Sequence, residues 1–136
     1  MKGLRHLFII YVSDQKRSRD FYSALFKSVP VFDETGMTVF LLPGSDMQLG
    51  IMPEKGIAEI LGDKVPDPEC RKGIPGCEIY LFVSDPDKYY EKAVKLNAVP
   101  VSEGRSRNWG DYVAYVSDPD GHIIAFAKGS ENEKNN

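Results

Sequence analysis

Apolar residues occur along the chain in short runs, and the spacing within each run distinguishes strands from helices. Residues 6–13 form an almost continuous apolar and β-branched run, which predicts a buried β-strand. Asp14 follows with a carboxylate suited to cap a helix, and the apolar residues of 15–27 recur at helical spacing. Three shorter strand-like runs come next, at 31–32, 37–42 and 47–52. The predicted order of elements is βαβββ.

The same order returns in the second half of the chain. Residues 78–84 form another strand-like run, and Asp85-Pro86 combines a helix-capping carboxylate with a proline at the first helical position. After this helix, three more strands are predicted at 99–101, 112–116 and 123–126. The triplet Val-Ser-Asp at 12–14 recurs at 83–85, 71 residues later, so the chain contains two copies of one unit.

A segment rich in proline and glycine, residues 53–76, lies between the two copies. Its composition predicts a connector or flap with room for a short helical turn. These patterns predict one domain over 1–130, followed by a polar tail at 131–136. Within the domain, module one is expected to cover about 4–52 and module two about 77–128.

The last part of the chain, residues 109–127, predicts two strands joined by a tight turn. The turn is Asp118-Pro119-Asp120-Gly121, in which proline presets φ and glycine supplies a positive φ. Asp118 and Asp120 resemble a pair of catalytic carboxylates, but this context favours a role in forming the turn. We expect the two strands to line the place where the protein functions.

Charge and composition exclude several kinds of partner. The net charge is -3 and no basic run occurs, so a nucleic-acid partner is not expected. No apolar stretch approaches the ~20 residues of a membrane span, and no signal-peptide pattern is found, which predicts a cytoplasmic protein without a membrane partner. Cys70 and Cys77 lack the spacing of a zinc site. In such a chain free thiols are expected more than a disulfide.

Several short motifs occur together in an order that resembles a known superfamily. They are Tyr11-Val-Ser-Asp14, Arg17-Ser18, Phe21-Tyr22, Leu25-Phe26 and the final Asp118-Pro-Asp-Gly121-His122. A duplicated βαβββ unit with these motifs resembles the vicinal oxygen chelate superfamily over about residues 4 to 128. That superfamily includes glyoxalase I, extradiol dioxygenases, fosfomycin-resistance enzymes and bleomycin-resistance proteins. The resemblance implies an α+β fold whose two modules form a cup-shaped, mixed eight-stranded sheet with helices on its outer face.

The resemblance also assigns four positions at which metal-using members carry ligands, one on the first and one on the last strand of each module. In this chain they hold Leu7, Gln48, Glu78 and Ala125. A divalent cation needs imidazole or carboxylate donors, which two apolar residues cannot supply. His6 and His122 are expected to point to the opposite face of their strands. We therefore expect no metal site and no other cofactor.

Six residues are candidates for binding a ligand: Gln48, Glu78, Tyr80, Trp109, Arg107 and Tyr11. Strand alternation places Glu78 on one face with two aromatic rings, and such a carboxylate suits a cationic or hydrogen-bonding ligand. It is also the only candidate for a catalytic group. Trp109 could stack on a flat ligand. Arg107, with Arg105, could pair with an anionic group.

Each candidate also has a purely structural interpretation. Glu78 could simply end a strand in solvent, and Trp109 could close the core or a subunit interface. The two arginines, Arg105 and Arg107, could be solvated loop residues. Tyr11 shares its face with apolar residues, which is more typical of core than of a ligand wall.

Three hypotheses for function follow. The first is a metal-free protein of the bleomycin-resistance type, a homodimer that binds a small planar or aromatic molecule in the cup between the modules. The second is a glyoxalase-like lyase or isomerase, in which a divalent metal would act with Glu78; Leu7 and Ala125 argue against it. The third is an interaction module in which residues 53–76 form a docking flap.

Overall fold

The structure, a computed structural model, describes residues 6–129 and divides the chain into two compact units, Met1–Lys72 and Gly73–Asn136. Each unit contains one four-stranded mixed sheet and the helices that connect its strands. The fold class predicted from the sequence, α+β with two βαβββ modules and eight strands, is confirmed. The polar tail predicted at 131–136 lies outside the described residues.

The first unit follows the predicted order and adds a helix. Its elements are β1 (Leu7–Val12), α1 (Gln15–Phe26), β2 (Phe32–Glu34), β3 (Met37–Leu41), β4 (Gln48–Pro53), α2 (Glu54–Leu61) and a 3₁₀ turn (Pro68–Arg71). The sheet order is β1-β4-β3-β2, with β1 and β4 parallel and the other neighbours antiparallel. The helix α2 occupies part of the predicted connector and is longer than the single turn expected there.

The second unit repeats this topology. Its elements are β5 (Glu78–Phe82), α3 (Pro86–Lys95), β6 (Val99–Ser106), β7 (Tyr112–Ser117) and β8 (Ile123–Lys128). The sheet order is β5-β8-β7-β6, again with the first and last strands parallel. Cys70 of the first unit and Cys77 of the second are exposed free thiols, as expected. No helix within 6–129 is long and apolar enough to cross a membrane.

Strand β6 differs most from its prediction, because it spans eight residues where the sequence indicated three. Its second half is polar, and its pairing with β7 shifts register twice, so no regular alternation marks it. Gly104 lies in this irregular part. A side chain there would collide with the Tyr112 hydroxyl and the Asp87 carboxylate, which hydrogen-bond to each other.

The helices begin where the sequence indicates. Asp14 accepts a hydrogen bond from the Arg17 backbone N–H at 3.0 Å, and Asp85 accepts one from the Lys88 N–H at 3.2 Å. Each carboxylate thus satisfies one of the free N–H groups of the first helical turn. These caps fix the direction in which each helix leaves the first strand of its unit.

One face of each sheet packs on a helix. In the first unit, Phe26 of α1 meets Phe40 of β3 with ring centroids 5.9 Å apart. In the second, Tyr89 of α3 lies 5.5 Å from Phe126 of β8. On β1 the buried residues Ile10 and Val12 alternate with residues on the other face, so the expected direction of Tyr11 is found. The candidate residues on β1 and β5 belong to the faces that the helices leave free.

The turn between β7 and β8 is held by a buried carboxylate. Asp118 is 2% exposed, and its Oδ1 accepts hydrogen bonds from the backbone N–H groups of Asp120 and His122, each at 2.8 Å. The N–H of Gly121 donates to the carbonyl of Asp118 at 3.0 Å. The preference for a turn role over a catalytic one at Asp118 is consistent with these bonds.

We predict that Gly121→Ala destabilises the protein. Gly121 has φ 89°, and an added Cβ would lie 2.7 Å from the carbonyl oxygen of Gly73. Left-handed strain costs about 1–2 kcal/mol, and a clash with backbone adds about 1–3 kcal/mol. Urea unfolding followed by circular dichroism measures the change in the free energy of unfolding.

Gly44→Ala is the matched control. Gly44 has φ 66°, but nothing lies within 4 Å of an added Cβ. This variant is expected to lose only about 1–2 kcal/mol of stability, from backbone strain. Equal losses in the two variants would contradict a steric role for Gly73.

Candidate functional site

The helix-free face of the second sheet brings small and aromatic side chains together. Register pairs Tyr80 of β5 with Ala125 of β8, and Ala125 with Tyr115 of β7. Val113, Ala125 and Ala127 are fully buried, and the two tyrosines pack against them. We call this surface, formed by Tyr80, Val113, Tyr115, Ala125 and Ala127, the Tyr80 face. The two alanines form a low floor on which the phenol rings lie.

A chain of hydrogen bonds crosses the Tyr80 face. The Trp109 indole Nε1–H donates to the Tyr80 hydroxyl oxygen at 2.8 Å, and that hydroxyl donates to Oδ2 of Asp111 at 2.6 Å. Asp111 is only 6% exposed, whereas Trp109 is 56% exposed. The indole is therefore held at its polar edge while much of the residue remains open to solvent.

The phenol of Tyr80 stays protonated at neutral pH. Burial, together with its hydrogen bond to Asp111, raises the pKa of Tyr80 to about 12. Both effects disfavour the phenolate, because it would lose solvation and would repel the neighbouring carboxylate. Tyr80 therefore acts as a fixed donor to Asp111 and a fixed acceptor from Trp109.

Arg107 anchors the loop that carries Trp109. Its Nη2 donates to the carbonyl of Val113 at 2.8 Å, to the Ser102 hydroxyl at 2.9 Å and to the carbonyl of Glu103 at 3.0 Å. Its guanidinium carbon lies 5.1 Å from the centroid of the Tyr115 ring, a cation–π distance. Arg107 is therefore engaged with its own unit rather than solvated. Binding of an anion by Arg107 remains a prediction.

Glu78 and Phe82 border the same face on β5. The rings of Tyr80 and Phe82 meet edge to face with centroids 5.4 Å apart, and Phe82 is 63% exposed. Glu78 is exposed at the start of the strand. Burial first, and then the charge of Glu78, raise the pKa of Tyr115. The carboxylate is therefore close enough to act on the phenol across the sheet.

The two remaining candidates, Gln48 and Tyr11, lie in the first unit. Gln48 is 7% exposed and pairs with Leu7, while Tyr11 is half-buried and pairs with Met52. Of the six candidates, the structure thus brings Tyr80 and Trp109 into direct contact and places Arg107 and Glu78 around them. A ligand-binding role remains a prediction for all six.

The pairing of the first and last strands of each unit shows which residues occupy the family's metal-ligand positions. Tyr80 pairs with Ala125 in the second unit, and the equivalent pair in the first is Ile9 with Gly50. Gly50, two residues beyond Gln48, is therefore the counterpart of Ala125. A side chain there would lie 2.8 Å from Ile9 and 3.0 Å from Leu7, so apolar atoms already occupy the space.

The available donors do not fit a divalent cation. The four positions hold Leu7, Gly50 or Gln48, Glu78 and Ala125, which provide one carboxylate and at most one amide. Within 6–129 no three His, Cys, Asp or Glu side chains lie close enough together to hold a metal ion.

Asp111 is the site residue that sequence reasoning missed. It precedes β7 and is two and four residues before Val113 and Tyr115. Strand alternation would place all three side chains on one face, and this was the signal in the sequence that could have identified Asp111. Its hydrogen bond to Tyr80 crosses β8 and joins residues 31 positions apart, which no local pattern reveals.

Two surface depressions lie elsewhere, in the first unit. One, of about 490 Å³, is lined by polar residues around Gln15, and the other, of about 440 Å³, by apolar residues around Val29. The Gln15 amide already donates to the Glu34 carbonyl and the Thr38 hydroxyl, both at 2.8 Å. The Gln15 amide therefore stabilises the fold. Neither depression is lined by a candidate residue.

Comparison with known proteins identifies the family. Residues 6–131 match the family model described as a glyoxalase-like domain. The chain belongs to the glyoxalase-like family. The predicted resemblance to the vicinal oxygen chelate superfamily, which includes the glyoxalases, is thereby confirmed.

Relatives of this glyoxalase-like protein are known from sequence and from structure. An uncharacterized protein of Mycobacterium bovis is 30% identical over 123 residues, covering 83% of this chain and 75% of the relative. A glyoxalase-related enzyme from Fulvimarina pelagi is 23% identical with a TM-score of 0.72, covering 93% of this chain and 89% of the other. A superfamily member from Sphaerobacter thermophilus is 22% identical with a TM-score of 0.71, covering 93% and 97%. The two structural likenesses show the fold alone.

We predict that Tyr80→Phe releases the indole of Trp109. The variant removes both the acceptor of the Trp109 N–H and the only donor to the Asp111 carboxylate among residues 6–129. Leaving a buried carboxylate without its donor costs about 1–3 kcal/mol. The heteronuclear NOE of the single indole resonance should fall, and urea unfolding should show the loss of stability.

Tyr112→Phe is the control. The Tyr112 hydroxyl donates to Asp87 at 2.9 Å and lies outside the hydrogen-bond chain of Trp109, Tyr80 and Asp111. This variant should leave the indole NOE unchanged. An unchanged NOE in Tyr80→Phe would contradict the positioning role of Tyr80.

Proposed function

We propose that this glyoxalase-like protein binds a small planar or aromatic molecule on the Tyr80 face and does so without the catalytic metal of its family. The observation that carries the proposal is the fixed indole of Trp109, tied to the Tyr80–Asp111 pair and 56% exposed. A flat ligand would stack on the indole, which contributes about 0.5–1.5 kcal/mol beyond the burial of area.

The shape of the surface supports an aromatic ligand. Tyr80 and Tyr115 pack over the buried Ala125 and Ala127, and together with Phe82 they present aromatic rings on this face. Exposed aromatic side chains that are already held in place lose little rotamer entropy on binding. Such a surface favours a rigid, flat molecule over a flexible polar one.

Absence of the family metal is the second part of the proposal. It rests on the chemistry of the residues at the family positions, where Ala125 and Gly50 offer no donor atom. The alternative, a metal-dependent lyase related to lactoylglutathione lyase, would require donors that these positions lack. Glu78 alone could accept or donate a proton, but within 6–129 no hydrogen bond connects its carboxylate to a nucleophilic side chain.

Assembly and location complete the proposal. We infer a homodimer that acts in the cytoplasm. Size-exclusion chromatography with light scattering measures the oligomeric state directly.

Binding of flat aromatic compounds should perturb Trp109. We expect at least one of three naphthalene probes, 1-naphthylmethylammonium, 1-naphthylmethanol and 1-naphthoate, to shift the indole Nε1–H resonance in a saturable way. Trp109→Leu should lower the affinity for that probe roughly tenfold, as measured by calorimetry, because the stacking surface is lost.

A saturated analogue provides the control for planarity. Decahydro-1-naphthylmethanol has the same polar group as the neutral probe but no aromatic face, so it should bind more weakly than 1-naphthylmethanol if flatness matters. Failure of all three aromatic probes to bind would overturn the proposed function.

Purified protein should hold no stoichiometric transition metal. Protein prepared without chelator is expected to contain only trace nickel, zinc, manganese or iron by plasma mass spectrometry, because the donor set is incomplete. A metal-using member of the superfamily, prepared in parallel, serves as the positive control. One equivalent of any of these metals would favour the lyase alternative.

A further inference from the structure

We propose that the ligand of the Tyr80 face carries a positive charge on or next to its flat ring system. This inference rests on the proposed function and adds the chemical class of the ligand to it. It follows from how the charges around the face are partnered, and it would exclude anionic aromatic acids as ligands.

The first observation concerns Asp111. This carboxylate is 6% exposed, and its Oδ2 accepts the hydrogen of Tyr80. Its Oδ1 accepts no hydrogen bond within the part of the chain that the structure describes, and no Lys, Arg or His of 6–129 pairs with it. Among residues 6–129 no side-chain polar atom is buried without a hydrogen-bond partner, so Oδ1 keeps some contact with solvent. A carboxylate with so little exposure is normally compensated by a cation or by several donors. Asp111 has one neutral donor, so a cationic group beside it would be strongly favoured.

The second observation concerns Arg107, a cationic side chain that lies beside Tyr115 of the Tyr80 face. It does not compensate Asp111 or Glu78, because its guanidinium donates to two backbone carbonyls and a hydroxyl. These acceptors are neutral, and the group stacks on Tyr115. Both carboxylates therefore remain without an ion pair among residues 6–129.

The third observation is the sign of the field at the two phenols. At Tyr115, Glu78 raises the pKa more than Arg107 lowers it, and Asp111 raises it further. At Tyr80, the charge of Asp111 also raises the pKa. Negative charge therefore outweighs positive charge at both positions, even with an arginine nearby. An approaching anion would be repelled and a cation attracted.

The aromatic rings add to this preference. Tyr80, Tyr115, Phe82 and Trp109 surround the same region, and Phe82 and Trp109 are mostly exposed. The face of an aromatic ring carries partial negative charge and attracts ammonium groups within about 6 Å. Rings and carboxylates thus select the same kind of ligand, a flat molecule with an ammonium or a charged ring nitrogen.

The test compares probes that differ in charge and share one ring system. Binding of 1-naphthylmethylammonium, 1-naphthylmethanol and 1-naphthoate to the full chain is measured by calorimetry and by the Trp109 indole resonance. We expect the cation to bind at least about tenfold more tightly than the neutral alcohol, and the carboxylate to bind most weakly. The preference should shrink when the salt concentration is raised, because ions screen exposed charges.

Variants assign the preference to the two carboxylates. Glu78→Gln, at an exposed position, should reduce the preference for the cation several-fold without affecting folding. Asp111→Asn keeps an acceptor for Tyr80 and should reduce the preference further. Glu91→Gln removes an exposed carboxylate from α3, on the other side of the sheet, and should leave the preference unchanged.

Each outcome decides between the two proposals. Equal binding of cation and alcohol, or tightest binding of 1-naphthoate, would overturn the charge inference while the proposed function stands. A cation preference that survives both Glu78→Gln and Asp111→Asn would place the cation site elsewhere and overturn the inference. If Asp111→Asn does not fold, Glu78→Gln alone decides. If no probe binds, the proposed function fails and the inference fails with it.

Discussion

Parallel pairing between the first and last strands of a unit is the constraint on which the described site depends. In the second unit this pairing sets Tyr80 beside Ala125 on one face, and it sets Leu81 beside Phe126 on the face that packs on α3. A shift of one residue would exchange the two sets and bury the phenol against the helix. In the observed register the tyrosine ring packs against the two alanines, and its hydroxyl reaches Asp111, just before β7.

The amino-acid sequence contains the fold in local signals. Asp14 and Asp85 cap their helices, Pro119 and Gly121 form the final turn, and alternation on β1 orients Tyr11, all of which depend on neighbours within a few residues. The site was less predictable. Its central bond joins Tyr80 to Asp111 across an intervening strand, and the register of Gly50 becomes evident only when the strands are paired.

The difference between local sequence signals and tertiary contacts also explains why the sequence left the role of Arg107 open. A loop arginine flanked by polar residues has the sequence context of a solvated side chain, yet its guanidinium meets the Val113 carbonyl from Nη2 at 2.8 Å and from Nε at 3.3 Å. That acceptor is a backbone atom whose direction depends on how the loop returns into β7. Tertiary geometry, and not residue type, therefore decides what this side chain does.

The bonds that hold Trp109 and Arg107 are made when the second unit folds, before any ligand arrives. The loop between β6 and β7 is tied at both ends, by Arg107 to the strands and by Trp109 to Tyr80. If this surface binds the proposed ligand, it would do so largely as a rigid body, and the backbone should differ little between the free and occupied states. The range of molecules accepted would then be narrow, because the rings cannot rearrange around a ligand of another shape.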